Sequence, residues 1–349
     1  MTASRSLRIA VVAPPYYEVP PPLYGGVERV CHVLVEGLLD RGHEVTLIAA
    51  GGNHTRARFV ATFPRPQPEG TDADAEIEIA HAARAAAALE DLDVDLVHDH
   101  TRAGPLTALS RPAPTLATAH AAVVGPDARV EPLEALGRWV GLIALSEAQR
   151  RAAPHLNWVA TVHNGIRVEE HPFRADKEEY VLFLSRLSPN KGVHIAIDAA
   201  LAAGRRLVIA GTWTTPSERT YYEEQVRPRL GGHAEWVGAV PNEERNALLA
   251  GAACLLLPVR WNEPFGLVVV EAMACGTPVV GLRAGALPEL VVDGLTGVIC
   301  DSPPELPRAM DEAARLCPSD CREHVARSFS AERMAAAYES VYRARLDDR

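Results

Sequence analysis

The chain has 349 residues, of which 48% are hydrophobic and 23% are charged, a composition typical of a globular protein long enough for two domains. The formal net charge of −10, without a block of Lys and Arg, argues against a nucleic-acid partner and against binding to an anionic membrane. No apolar run approaches the roughly 18 residues of a transmembrane segment. Because the first residues lead directly into a predicted strand, we expect no signal peptide. The six cysteines are scattered, which indicates buried reduced thiols in a cytoplasmic protein.

Short apolar runs alternate with amphipathic segments along the first half of the chain, which indicates a parallel sheet covered by helices. Strands are predicted at Leu7–Ala13, Glu44–Ala49, Asp95–His98, Thr115–Ala119, Leu142–Leu145 and Val159–His163. A helix is predicted at Gly26–Asp40, because apolar residues recur along one of its sides.

The loop after the first strand is rich in proline and reaches Gly25 and Gly26 at the predicted helix start. The G-x-G-x-x-G fingerprint of a dinucleotide-binding turn is absent, which argues against a dehydrogenase. Two glycines in this place allow backbone amides to approach a phosphate group closely. A simple turn is the alternative interpretation.

Histidines end two neighbouring strands of the predicted sheet. His98, Asp99 and His100 end one strand, and His120 ends the next. Adjacent strand residues point to opposite faces, so the first three converge poorly on a metal ion, and we predict no metal site. A structural role is the alternative for each histidine.

The alternation of strands and helices restarts after a polar segment near residues 166–178, which we interpret as the linker. Strands are predicted at Tyr180–Leu184, Arg206–Ala210, Ala234–Val237, Cys254–Leu257, Pro278–Leu282 and Gly297–Ile299. We therefore expect one domain at 1–168 and a second at 169–329. The period of the last segment predicts a C-terminal helix at Ser330–Leu346.

The first loop of the second domain carries Arg186 and Lys191. Lys191 is one of only two lysines in the chain, the other being Lys177. An arginine and a lysine in a strand-to-helix loop are suited to clamp a diphosphate and to stabilise charge on a departing phosphate.

The most informative segment contains two glutamates eight residues apart, Glu263 and Glu271, in a strand–loop–helix–strand pattern. Phe265, Gly266 and Leu267 form the predicted helix N-terminus, where backbone amides favour an anion. The two carboxylates flank this anion site as acceptors for hydroxyl groups. A nucleotide sugar has hydroxyls on both sides of its diphosphate, and it is therefore the predicted ligand.

Four motifs of this chain resemble those of the family-4 retaining glycosyltransferases (group 1), and they occur along the chain in the same order as in that family. Glu263–Glu271 resembles the Glu-x7-Glu signature, and Ser185–Gly192 is similar to the Gly-Arg-Leu-x-x-x-Lys-Gly motif with Ser185 in place of the first glycine. Gly25-Gly26 resembles the family's glycine loop, and His120 its strand-end histidine.

The resemblance implies the GT-B fold, in which two Rossmann-like, doubly wound parallel-sheet domains face each other across a cleft and the last helix (330–349) crosses back to the first domain. It also implies transfer of a sugar, with retention of configuration, from a UDP-sugar or GDP-sugar to a hydroxyl of a small soluble acceptor. No metal or other cofactor is expected. Abundant Ala, Arg and Pro suggest a GC-rich coding sequence. Natural-product biosynthesis is one setting that we infer from this bias. The oligomeric state stays open.

The residue roles follow from the same resemblance. The predicted catalytic residues are His120, Arg186, Lys191 and Glu263. The predicted donor-binding residues are Gly25, Gly26, Gly211, Val240, Phe265, Gly266, Leu267 and Glu271. Tyr16, Tyr24 and His98 are predicted on the acceptor side, with packing as the alternative for the tyrosines. Two other functions stay open: a nucleotide-sugar 2-epimerase of the same fold, and a non-catalytic nucleotide-sugar-binding protein.

Overall fold

The computed structural model describes residues 5–22, 25–71, 73–125, 128 and 130–347. The chain divides into two compact units, one formed by residues 1–165 with 331–349 and the other by residues 166–330. Each unit is an α/β unit built on a parallel sheet, which confirms the predicted fold class.

The first unit contains seven parallel strands in the described part of the chain, in the order β3-β2-β1-β4-β5-β6-β7. The strands are β1 (Arg8–Val12), β2 (Glu44–Ala50), β3 (Arg58–Phe63), β4 (Leu96–Asp99), β5 (Thr115–Thr118), β6 (Gly141–Ala144) and β7 (Trp158–Thr161). The helices are α1 (Gly26–Asp40), α2 (Asp74–Glu90), α3 (Glu131–Leu136) and α4 (Glu147–Ala152). Six of these strands were predicted and β3 was missed, because this edge strand is mostly half-exposed and has no continuous apolar run.

The second unit contains six parallel strands among the described residues, in the order β10-β9-β8-β11-β12-β13. The strands are β8 (Val181–Leu184), β9 (Leu207–Ala210), β10 (Ala234–Gly238), β11 (Cys254–Leu257), β12 (Val279–Leu282) and β13 (Gly297–Cys300), all close to their predicted bounds. The helices are α5 (Val193–Ala202), α6 (Pro216–Tyr221), α7 (Asn242–Gly251), α8 (Leu267–Ala274), α9 (Leu287–Leu290), α10 (Leu306–Ala313) and α11 (Pro318–Ser328).

Each sheet has a topological switch point beside its first strand. β1 lies between β2 and β4, and β8 lies between β9 and β11, so the next two strands of each sheet lie on one side of its first strand and the later strands lie on the other side. In open parallel sheets the loops at the carboxyl ends separate at this point and form a ligand-binding crevice. The loops after β8 and β11 in the second unit, and those after β1 and β4 in the first, therefore occupy binding positions.

The last helix, α12 (Ala331–Asp347), belongs to the first unit and packs against α1. Gly37 of α1 permits a close approach, since a Cβ atom at this position would lie 2.9 Å from the Cβ of Ala335. Tyr338 and Tyr342 of α12 are completely buried. None of the helices in the described part of the chain combines the length and apolar character that a membrane crossing requires.

Candidate active site

The loops after β8 and β11 are joined by backbone contacts at the switch point of the second unit. The N–H of Arg260 donates to the carbonyl of Asn190 at 2.9 Å. Gly192 has a φ of +75°, and a Cβ atom there would lie 2.4 Å from the carbonyl oxygen of Pro258. Only glycine fits this approach without displacement of the backbone, which explains the Lys-Gly pair of the motif.

Lys191 and Glu263 meet across these two loops. The Lys191 ammonium contacts Oε2 of Glu263, and the same oxygen accepts a 2.7 Å hydrogen bond from the indole N–H of Trp261. The ammonium also lies 5.0 Å from the centre of the Trp261 ring. Side-chain exposures of 14% for Lys191 and 18% for Glu263 keep both groups within reach of a ligand at the sheet edge. The structure thus brings together two of the predicted catalytic residues.

A third loop, which follows β12, holds the backbone of Glu263 from another side. The N–H of Ala286 donates to the Glu263 carbonyl at 3.0 Å. A Cβ atom at Gly285, whose φ is +53°, would lie 2.4 Å from the Glu263 nitrogen. The position of the Glu263 carboxylate is therefore fixed by contacts on both sides of its loop.

Helix α8 begins at Leu267, directly after Gly266, which is the N-cap with a φ of 97°. No side chain in the described part of the chain caps this N-terminus. The N–H of Val269 donates to the Gly266 carbonyl at 3.0 Å, which leaves the amides of Leu267 and Val268 for an anion. Phe265 is buried and packs edge-on against Phe329, which anchors the turn. This local geometry is what the sequence predicted for residues 265–267.

Glu271 lies one turn inside α8 and is only 1% exposed. Its Oε2 contacts the guanidinium of Arg245 from α7. Because a buried carboxylate needs a partner, Arg245 supports the ionised form of Glu271. The predicted contact of Glu271 with ribose hydroxyls would lie next to Arg245, a residue that no motif marks.

Arg186 is held by Glu218. Its Nε lies 3.0 Å from Oε1 of Glu218, the N3 residue of α6. Glu218 also accepts a 2.8 Å hydrogen bond from the N–H of Thr214, and it forms a capping box with Thr215. The helix start therefore orients the guanidinium at the carboxyl end of β8.

Gly211 and Val240 occupy the ends of β9 and β10. A Cβ atom at Gly211, whose φ is +133°, would lie 1.9 Å from the carbonyl oxygen of Ser185. The carbonyl of Gly211 accepts a 2.9 Å hydrogen bond from the indole of Trp236. Close strand-end packing by itself accounts for this glycine. Val240 is half-buried in the turn between β10 and α7.

In the first unit, the loop after β1 leads to Gly25, the N-cap of α1, and to Gly26, its first residue. Gly25 has a φ of +136°, and a Cβ atom there would lie 2.8 Å from the Cβ of Pro21. Glu28 in the first turn is only 3% exposed, and burial raises its pKa to about 8. Tyr16 is buried with 6% exposure, and burial raises the pKa of its hydroxyl. The predicted acceptor-side residue Tyr24 lies outside the described residues.

The three histidines at the ends of β4 and β5 lie in contact. Nδ1 of His100 is 2.8 Å from Nε2 of His120, and the rings of His98 and His100 are 4.1 Å apart between centroids. Burial lowers the pKa of His120 to about 4 and that of His98 to about 3. All three rings are therefore neutral at physiological pH, since the pKa of His100 is also lowered well below its ordinary value by burial.

His98 does not have the position that the sequence predicted. Its side chain is completely buried, and its ring nitrogens lie 2.7 Å from the hydroxyl of Tyr342 and 2.8 Å from that of Thr118. The expectation that His98 faces an acceptor is therefore wrong in this structure, because α12 covers it. No group of three or more metal-ligating side chains with suitable geometry occurs among the described residues.

Several motif residues have partners that lie far away along the chain and that no motif marks. Arg245, Glu218 and the two tyrosines of α12 have no local pattern that marks them as neighbours of the motif residues. Arg245 is 26 residues from Glu271, and Tyr342 is 244 residues from His98. Only the packing of helices on the sheet brings these pairs together.

Two family models match parts of the chain that overlap at residues 167–174. Residues 24–174 match the model described as Glycosyltransferase Family 4, and residues 167–318 match the model described as Glycosyl transferases group 1. The chain belongs to this glycosyltransferase family. This confirms the predicted assignment to the group 1, family-4 glycosyltransferases and does not bear on retention of configuration.

The proteins to which the chain is similar cover different shares of it. Glycogen synthase of Mycobacterium tuberculosis (strain H37Rv) is 34% identical over 234 residues, which is 60% of this chain and 56% of that enzyme. The match thus spans little more than half the length of that curated relative. AviGT4, a glycosyltransferase involved in avilamycin A biosynthesis, is 28% identical, with a TM-score of 0.75 over 98% of this chain and 99% of its own.

The fold is also that of Anabaena HepE, solved in complex with UDP-glucose. HepE has a TM-score of 0.75 and 18% sequence identity over 98% of this chain and 100% of its own. The two parallel-sheet units together with these likenesses confirm the predicted GT-B fold.

Proposed function

We propose that this protein transfers a sugar from a nucleoside diphosphate sugar, with UDP or GDP as the nucleotide, to a hydroxyl group of a small acceptor. The observation that carries the proposal is the meeting of Lys191 and Glu263 at the switch point of the second unit, beside the uncapped start of α8. A cation, helix amides and a carboxylate in one place match a diphosphate joined to a polyhydroxylated ring.

Donor binding replaces the ion pair between Lys191 and Glu263 that the free protein contains. The Lys191 ammonium then binds the diphosphate, and the Glu263 carboxylate accepts hydrogen bonds from the sugar hydroxyls. Arg186, oriented by Glu218, adds positive charge near the leaving phosphate. Glu271 binds the ribose hydroxyls next to Arg245.

The reaction follows from these charges. The bond between the anomeric carbon and the diphosphate oxygen breaks, and Lys191, Arg186 and the α8 amides stabilise the negative charge that develops on the leaving group. The acceptor oxygen forms its bond to the anomeric carbon on the same face, and its proton passes to the departing phosphate. Retention of configuration, and with it this front-face course, is proposed because the family resemblance implies it. We assign to His120 a contact with the donor sugar, as the family resemblance implies.

The positive charge for leaving-group stabilisation comes from the chain itself, so we propose that transfer requires no metal ion. Activity that persists in EDTA would agree with this proposal, and activity restored only by a divalent ion would contradict it. The setting in natural-product biosynthesis is supported by the likeness to AviGT4 and remains part of the proposal.

A product assay tests the function. UDP- and GDP-sugars are incubated with a panel of small hydroxylated acceptors and, separately, without acceptor. We expect a glycosylated product with wild type, and a loss of about a hundredfold in transfer for Lys191→Ala and for Glu263→Ala, since each removes a charged contact worth ~3 kcal/mol in the transition state. An isomerised donor without acceptor would show an epimerase instead. Binding without turnover would show a non-catalytic nucleotide-sugar-binding protein.

A further inference from the structure

His100 is enclosed by rings whose positions are fixed. On one side it lies against His98, whose nitrogens are bound to Tyr342 and Thr118. On the other side its Nδ1 lies 2.8 Å from Nε2 of His120, with the two ring centroids 5.1 Å apart. His100 is buried, whereas His120 is half-buried at the carboxyl end of β5. His100 therefore lies behind His120, away from the exposed edge.

The hydrogen bond between Nδ1 of His100 and Nε2 of His120 is made by a single proton. Burial lowers the pKa of His120 to about 4, and it also lowers that of His100 well below its ordinary value. Both rings are therefore neutral near pH 7. A neutral imidazole has one N–H and one acceptor nitrogen, so one ring donates and the other accepts.

The surroundings of His100 decide which ring donates. Nε2 of His100 is buried and has no hydrogen-bond partner among the residues that the structure describes. A buried N–H without a partner costs ~1–3 kcal/mol, and unpaired donors are rarer than unpaired acceptors in native proteins. The proton of His100 therefore sits on Nδ1, where it is donated to Nε2 of His120.

We propose that His100 is a positioning residue that fixes both the orientation and the tautomer of His120. With its Nε2 occupied as an acceptor, His120 carries its own proton on Nδ1. This N–H is then the group that His120 presents to a hydroxyl oxygen of the donor sugar. The sugar contact rests on the proposed function, whereas the tautomer is a property of the free protein.

Two variants of His100 separate the hydrogen bond from the volume of the ring. His100→Asn places an amide N–H near the position of Nδ1 and retains a donor to His120. His100→Leu has a similar size and removes the donor. His81→Leu is the matched control, because His81 is also a buried neutral histidine of the first unit, bound to the hydroxyl of Thr62 at 2.7 Å.

The tautomer is measured by long-range 1H–15N correlation on protein with 15N-labelled histidine, without substrate. The His120 signals are assigned by their loss in His120→Gln. We expect the Nδ1–H tautomer of His120 in wild type, in His100→Asn and in His81→Leu, and a population of the Nε2–H tautomer in His100→Leu. An Nε2–H tautomer in wild type would overturn the proposal, as would an unchanged Nδ1–H tautomer in folded His100→Leu. If His100→Leu does not fold, the tautomers of wild type and His100→Asn decide the matter.

Kinetics connect the tautomer to transfer. For His100→Leu we expect kcat to fall by about ten- to a hundredfold, by analogy with the loss when the hydrogen-bond partner of a metal-ligating histidine is removed, with little change in the donor KM. His100→Asn and His81→Leu should retain most of kcat. An equal fall in His81→Leu would contradict a positioning role. An Nδ1–H tautomer in a protein that transfers no sugar would contradict the proposed function and leave the positioning of His120 intact.

Discussion

Lys191 and Glu263 illustrate how a binding site is kept stable before its ligand arrives. Two partly buried charges of opposite sign satisfy each other, and the indole of Trp261 adds a hydrogen bond to the carboxylate. Desolvated charges of this kind are costly when unpaired, so each residue needs either the other or the donor. The ion pair in the free protein and the donor complex are therefore alternative ways of satisfying the same charges.

Gly192 permits the approach between the loops that carry this pair, and its replacement tests the approach. Gly192→Ala adds a Cβ atom 2.4 Å from the Pro258 carbonyl oxygen, at a φ of +75°. Gly204→Ala is the matched control, because its φ is +65° and a Cβ atom there meets nothing within 4 Å. Both variants have backbone strain of ~1 kcal/mol, and Gly192→Ala should lose a further ~1–3 kcal/mol from overpacking. Equal losses in the midpoint of thermal unfolding would contradict this account.

The buried pair of Arg245 and Glu271 gives a second prediction at the scale of residues. Arg245→Ala leaves the carboxylate of Glu271 without its guanidinium, and we expect a loss of ~3–5 kcal/mol in the free energy of unfolding. Adding Glu271→Gln to Arg245→Ala removes the charge and should recover part of this loss. Chemical denaturation of wild type, both single variants and the double variant measures the coupling. Additive effects would show that the two side chains do not stabilise each other.

At the scale of elements, helix α12 connects the C-terminus to the histidines of the first unit. The hydroxyl of Tyr342 lies 2.7 Å from Nδ1 of His98, and the hydroxyl of Tyr338 lies 3.1 Å from the hydroxyl of Thr118. The helix therefore contributes polar contacts to the sheet edge as well as apolar packing.

Tyr342→Phe tests this contribution of α12. The variant leaves Nδ1 of the buried His98 without its partner, which should cost ~1–3 kcal/mol of stability. Ser340→Ala is the control on the same helix, since the Ser340 hydroxyl is exposed and bonds only the preceding turn at 3.0 Å; it should change stability by less than ~0.5 kcal/mol. Calorimetric unfolding of both variants measures the difference. A Tyr342→Phe protein as stable as Ser340→Ala would show that the hydroxyl is dispensable.

The elements also show which features of the structure can be predicted from the sequence. Central strands such as β8 and β11 are buried along their whole length, so their apolar runs predict them directly. β3 is half-exposed at the sheet edge and lacks that pattern. The Lys191 and Glu263 loops could be paired beforehand, because both follow strands that border a switch point. Arg245 and Glu218 could not be predicted as partners of the motif residues. Both lie on helices, and no sequence pattern shows which side of these helices faces the site.

At the scale of the whole molecule, Glu28 predicts how stability depends on pH. Its pKa is raised from 4.5 to about 8 by burial, so the folded protein keeps a proton that the unfolded chain loses near pH 4.5. The stabilising effect of this proton is complete below pH 4.5 and is lost as the pH rises to about 8. Within this window the free energy of unfolding falls by up to about 1.4 kcal/mol per pH unit.

Glu28→Gln isolates this effect from all other titrating groups. Glutamine has a similar shape and no proton to lose, so the unfolding midpoint of the variant should rise relative to wild type as the pH increases from 5 to 8. The difference between the two proteins is measured by thermal unfolding at intervals across this range. Parallel curves would show that Glu28 titrates alike in the folded and unfolded chain.

The central claim is that the switch point of the second unit, with Lys191 at its centre, binds the diphosphate of a nucleotide sugar. Calorimetric titration of wild type and Lys191→Ala with UDP and GDP, with ADP as a further nucleotide, tests it most directly. We expect UDP or GDP to bind wild type and to bind Lys191→Ala at least tenfold more weakly, a difference of about 1.4 kcal/mol or more. Wild type that binds none of the three nucleotides, or Lys191→Ala that binds as tightly as wild type, would contradict the claim.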